Sequence, residues 1–113
     1  MKTHRQQRVA DLIRSEVATI LSRGLKEHFL APITVTDVEV TADLKLAKVY
    51  YTVLGGAYDK KKVVEALENA KSYIRGILRK NLVMRFIPHL EFHYDTSYEQ
   101  GARIDELLNK VKQ

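Results

Sequence analysis

The sequence predicts an α+β sandwich in which helices cover one face of a three-stranded sheet. Three observations lead there. Long stretches repeat apolar residues at helical spacing, shorter stretches alternate them at strand spacing, and turn residues such as Gly55-Gly56 and Pro88 fall between these stretches. A sheet of three short strands cannot bury itself, so its apolar face requires the helices. At 113 residues the chain fits one domain, spanning 1–113.

Thr3 is a candidate N-cap for a long first helix, because a hydroxyl there can accept from the free N–H groups of the first turn. Val9, Leu12, Ile13, Val17, Ile20, Leu21 and Leu25 then form one apolar stripe. Gly24 and Ala31-Pro32 mark the region of its end.

Ile33 to Thr41 alternates as a strand, but its apolar phase slips by one residue between Val35 and Val38. A bulge near Thr36-Asp37 absorbs the extra residue and keeps Ile33, Val35, Val38 and Val40 inward. The short polar connection from Thr41 to Lys45 implies an antiparallel hairpin with a second strand, where Ala47, Val49, Tyr51 and Val53 alternate with Lys48, Tyr50 and Thr52. Asp59 can cap the next helix, whose stripe is Val63, Leu67, Ala70, Ile74, Ile77 and Leu78. Pro88 ends the blurred stretch after it, and Leu90, Phe92 and Tyr94 share one face of a third strand. Ser97 with Gln100 reads as a capping box for a C-terminal helix over about 97–113. The open face of the sheet should carry Thr34, Lys48, Tyr50, Thr52, His89, Glu91 and His93.

The net charge of +5 and a pI of about 9.5 attract polyanions, without choosing among RNA, DNA and anionic lipid. The chain has no cysteine, which favours a reducing, cytoplasmic setting. No apolar stretch of signal-peptide type follows the charged start, and none approaches the roughly 18 consecutive apolar residues of a membrane span.

Local strings add a family resemblance. They are Arg8-Val9, Val35-Thr36-Asp37-Val38-Glu39-Val40, Asp43-Leu44, Ala47-Lys48-Val49, Ile74-Arg75, Arg85-Phe86-Ile87-Pro88-His89-Leu90-Glu91-Phe92, Asp95-Thr96-Ser97 and Gly101-Ala102-Arg103-Ile104. In this order and spacing the chain resembles the ribosome-binding factor A family from about Arg5 to Leu108. The resemblance implies a type II KH-like domain of order α-β-β-α-α-β plus a C-terminal helix. It also implies a non-catalytic assembly factor that binds the immature small (30S) subunit through 16S rRNA. Late maturation, 5′-end processing and growth in the cold belong to that expectation. In the family an Ala-x-Gly interruption kinks the middle helix; here the triplet is Ala70-Lys71-Ser72, with serine in place of glycine.

Phosphate binding needs cations that converge. Lys71, Arg75 and Arg79 lie four apart and line up on one side of the middle helix, and Arg85 can extend that track. The alternative is a solvated face salted with Glu65 and Glu68. Reversing charge at Arg75 and Arg79 is expected to remove subunit binding and leave the fold intact. Lys2, Arg5 and Arg8 crowd the start of the first helix, where cations oppose the dipole, so RNA contact is a candidate reason for them against a frayed basic terminus. Lys48 stands beside Tyr50 on the open face, where a base could stack, although such a tyrosine more often covers sheet surface. Lys60-Lys61-Lys62 lacks the spaced glycine and Lys-Ser/Thr of a phosphate loop and offers at most a loose RNA contact.

His89, Glu91 and His93 point away together from one strand and would need ligands from elsewhere to close a metal site. Ser97, His93 and Asp95 are near in sequence, but Ser97 is better used as a cap. No enzyme, cofactor, metal, membrane or small-molecule substrate is expected; a monomer is. The alternative function is a protein-interaction module docking through the C-terminal helix, with Ile104, Leu107, Leu108 and Val111 as its apolar residues.

Overall fold

The computed structural model describes residues 2–23, 33–53 and 59–97. Within them run α1 (His4–Ser22), β1 (Ile33–Val40), β2 (Leu46–Val53), α2 (Lys60–Asn81) and β3 (His89–Tyr94). Thr3 caps α1 as expected. Its hydroxyl accepts from Gln6 N at 3.1 Å while Gln6 Oε1 accepts from Thr3 N at 2.9 Å, a reciprocal box. Gln6 is itself buried, and its Nε2 donates to the Val40 carbonyl at 3.1 Å, so the capping residue also ties α1 to the end of β1. Asp59 caps α2 by accepting from Lys61 N at 2.9 Å.

The sheet order is β1-β2-β3, with β2 antiparallel to β1 and parallel to β3. The register slips between Val35, opposite Tyr51, and Asp37, opposite Tyr50, which places the bulge at Thr36. Ile33, Val35, Val38 and Val40 are all buried as a result. In the hairpin turn Leu44 N donates to the Thr41 carbonyl at 2.8 Å, and Leu44 takes φ 62°, a left-handed conformation rare for leucine. Asp43 Oδ1 closes the turn by accepting from the Thr41 hydroxyl at 2.6 Å and from Lys45 N at 3.0 Å. These two bonds, the hydroxyl's first, hold the Asp43 carboxyl below its ordinary pKa.

The core lies between the helices and one sheet face. Ile13 and Val17 of α1, Val49 of β2, and Leu67, Ile74 and Leu78 of α2 are completely buried. Phe92 and Tyr94 are only partly buried but pack on this core from β3. Tyr51 and Tyr94 meet edge to face at 5.7 Å. Burial pushes the Tyr51 hydroxyl up from its ordinary pKa, with Tyr94 adding to it.

Four expectations need correction or bounding. The order α-α in the middle of the chain is one helix, because α2 runs unbroken through Ala70-Lys71-Ser72. Serine keeps ordinary helical backbone preferences where glycine would loosen them. Leu12 is 42% exposed, outside the apolar stripe of α1. Thr52 is only 3% exposed although it belongs to the open face. The Thr36 hydroxyl donates to Asp95 Oδ2 at 2.5 Å, joining the β1 bulge to the residue that follows β3. Finally, Thr96 and Ser97 are already helical and Asp95 Oδ1 accepts from Ser97 N at 3.0 Å, so Asp95 takes the capping role assigned to Ser97. Gly24, Leu25, Pro32, Gly55, Gly56 and the rest of the C-terminal helix lie outside the described residues.

Candidate nucleic-acid interface

One end of the sheet gathers several separate pieces of the chain. The first turn of α1 reaches it through the Gln6–Val40 bond. The hairpin turn meets the start of β3 there, where His89 N donates to the Lys45 carbonyl at 2.8 Å. Arg75 of α2 clasps the connection between α2 and β3: its Nη2 donates to the Ile87 carbonyl at 2.8 Å and its Nε to the Pro88 carbonyl at 3.2 Å. Ile87 and Pro88 are buried beneath. The connection from Leu82 to Pro88 is thus fixed from inside, with Leu82 and Met84 also packed on the core.

The expected RNA-contacting residues stand in unlike surroundings. Arg5 and Arg8 are exposed in the first turns of α1, where the first turn carries no acidic residue. Arg79 is exposed in the last turn of α2 with Lys80, where a cation suits the helix dipole. Arg85 is exposed in the clasped connection. None of these has an ion-pair partner among the described residues. Lys71 does, since its Nζ lies 2.8 Å from Glu68 Oε1. The aligned track of Lys71, Arg75 and Arg79 therefore divides: Lys71 is paired, Arg75 is spent on backbone carbonyls, and Arg79 has neither tie among the described residues. For Arg75 the expectation of a harmless charge reversal gives way, because a carboxylate there would face two carbonyls.

Lys48 is half-buried on the central strand, opposite Glu39 on one side and Glu91 on the other. Tyr50 beside it packs its ring 5.6 Å from that of His93. Desolvation, then the charge and hydrogen bond of Glu39, push the Tyr50 hydroxyl above its ordinary pKa, and Asp37 and Asp95 add to the shift. His93 Nε2 lies 2.9 Å from Glu91 Oε1. The open sheet face is therefore lined with carboxylates, a poor surface for phosphate. Lys60 Nζ sits 5.0 Å over the Tyr94 ring.

Lys45 and Phe86, both exposed, are not among the contacts expected from the sequence. Lys45 passed as turn filler, and its neighbourhood depends on the parallel β2–β3 pairing. Phe86 passed as part of a string, yet it is 50% exposed beside a fully exposed Val83. A signal was present: the apolar residues from Leu82 to Ile87 follow neither helical nor strand period, so they cannot all be buried. A shallow groove of about 110 Å³ between α1 and α2 is lined in part by Glu16, Ile20, Tyr73 and Ile77. It is too small for a drug-sized ligand. No helix among the described residues is long and apolar enough to cross a membrane.

Comparison with known proteins agrees with this architecture. A family model described as ribosome-binding factor A matches residues 5–108. The Halothermothrix orenii ribosome-binding factor A is 42% identical over 113 residues, covering 100% of this chain and 93% of the relative. The Trichlorobacter lovleyi protein of the same name is 45% identical over 111 residues, covering 98% and 90%. Among solved structures, ribosome-binding factor A of Thermus thermophilus superposes with a TM-score of 0.65 at 22% identity, over 79% of this chain and 94% of that one. A second structure of the Thermus thermophilus protein, a homology model fitted into the cryo-EM map of a 30S complex, gives a TM-score of 0.60 at 22% identity over 82% and 93%. With a family match over nearly its whole length and full-length relatives above 40% identity, the chain belongs to the ribosome-binding factor A family.

Proposed function

We propose that the protein binds the immature small ribosomal subunit through its 16S rRNA and assists late maturation, 5′-end processing included, without making or breaking a bond. It would act in the cytoplasm, where subunits are assembled, as a monomer and with greatest effect in the cold. The observation that carries this reading is the set of exposed cations Arg5, Arg8, Arg79 and Arg85, none with an ion-pair partner among the described residues, on a domain whose open sheet face is acidic. Exposed arginines can grip phosphates with paired N–H donors, and their cost near a helix start is offset when a polyanion arrives. Family membership and the Thermus thermophilus relative fitted into a 30S complex support the choice of polyanion.

Sedimentation tests it. Tagged protein is expected to migrate with free small subunits and not with mature ribosomes, and Arg79→Glu with Arg85→Glu should abolish that migration. Equal migration with both particles, or none with either at any salt concentration, would sink the reading.

A further inference from the structure

The connection between α2 and β3 presents apolar groups to water while being held rigid from within. Phe86 is 50% exposed and Val83 fully so, whereas Ile87 and Pro88 of the same connection are buried. The Phe86 ring meets that of His89 edge-on at 6.1 Å and 71°, so its orientation is set by a neighbour on β3. Arg75 fixes the backbone next to it through the Ile87 and Pro88 carbonyls. Arg85 precedes the ring in the chain, the Lys45 carbonyl accepts from His89, the ring's neighbour, and Arg79 and Lys80 end the helix that leads into the connection.

An exposed aromatic ring with a fixed backbone and flanking cations suits an unpaired nucleobase. The ring face supplies sequence-tolerant stacking, and the cations hold the phosphates on either side. Because the connection is already ordered, little conformational entropy is lost on binding. An apolar protein partner fits less well, since the neighbouring cations Arg85 and Lys45 would have to be desolvated against it.

We infer that Phe86 is a stacking platform for an unpaired base of single-stranded RNA, with Arg85 and Lys45 as its phosphate contacts. This deepens the proposed function and rests on it. The platform lies on the α2–β3 connection, not on Tyr50 of the open sheet face, where Glu39, Asp37 and Asp95 crowd the hydroxyl.

The test uses the full chain, a fluorescently labelled unstructured RNA dodecamer read by anisotropy, and free small subunits read by sedimentation. Phe86→Ala is expected to weaken oligomer binding about tenfold, the order of one stacked base, with an unchanged salt slope. Arg85→Ala should instead lower that slope by about one. Phe86→Tyr should bind as the parent does, while Phe86→Leu, apolar but without a π face, should fail as alanine does. Circular dichroism checks that each variant is folded. If Phe86→Leu retains full binding, the ring serves as a general apolar contact and the stacking platform is refuted. If Phe86→Ala binds the oligomer normally while the arginine variants lose subunits, stacking falls and the subunit reading stands. If the parent protein binds neither RNA nor subunits, the underlying reading has failed.

Discussion

Arg75 shows how one side chain can be claimed by the fold before function can use it. Its guanidinium reaches two carbonyls of the α2–β3 connection, at 2.8 and 3.2 Å, in a half-buried position. Hydrogen bonds from a charged donor contribute about 1.5–3 kcal/mol each, less where water competes. Arg75→Ala is therefore expected to lower stability by about 2 kcal/mol in urea unfolding. Arg75→Lys should recover less than half of that, because an ammonium cannot present the planar fork that reaches both carbonyls. A lysine variant as stable as the parent would show that charge alone suffices. Arg79, exposed and without an ion-pair partner among the described residues, is the position where a charge change reports on binding without disturbing the fold.

At the scale of the element, α2 runs unbroken with one apolar phase. Val63, Leu67, Ile74 and Leu78 stay buried on both sides of Ala70-Lys71-Ser72, which a break in helical phase would prevent. Gly76 lies inside this helix, and a Cβ added there meets nothing within 4 Å. Glycine in a helix interior costs roughly 0.5–1 kcal/mol relative to alanine. Gly76→Ala is thus expected to stabilise the domain by that amount, roughly 0.5–1 kcal/mol, seen as a higher urea midpoint with an unchanged m-value. A loss of stability would mean that α2 bends at Gly76 in solution. The β1 bulge is the counterpart in the sheet: one extra residue at Thr36 rescues the inward phase of β1 and aims a hydroxyl at Asp95.

For the whole molecule, the net charge of +5 matters less than its distribution. Asp37, Glu39, Glu91 and Asp95 line the sheet face turned away from the helices, and none of them forms an ion pair with Arg5, Arg8, Arg79 or Arg85 among the described residues. Charges further apart than the Debye length of about 8 Å at physiological salt are largely screened from one another. Asp37→Asn with Glu39→Gln should therefore change subunit affinity by less than about twofold at that salt. Arg79→Ala, by contrast, should weaken it several-fold and reduce the salt slope by about one. A large gain from the sheet-face double variant would place RNA on that face, against the geometry of Lys48 between Glu39 and Glu91.

What the sequence determined by itself is local. Thr3 and Asp59 as caps, the apolar stripes of α1 and α2, the hairpin and the bulge at Thr36 all depend on residues a few positions apart, whose periods and turn chemistry favour one backbone. The resemblance to the family was also legible, because it lives in ordered strings. Tertiary structure decided the parts that join distant residues. Only the parallel pairing of β3 with β2 brings His89 to Lys45, only packing sends Arg75 to Ile87 and Pro88 instead of to solvent, and only the sheet sets Lys48 between two carboxylates. A cation's availability depends on which acceptors the fold brings within about 3 Å of it, and nothing in its spacing along a helix reveals them.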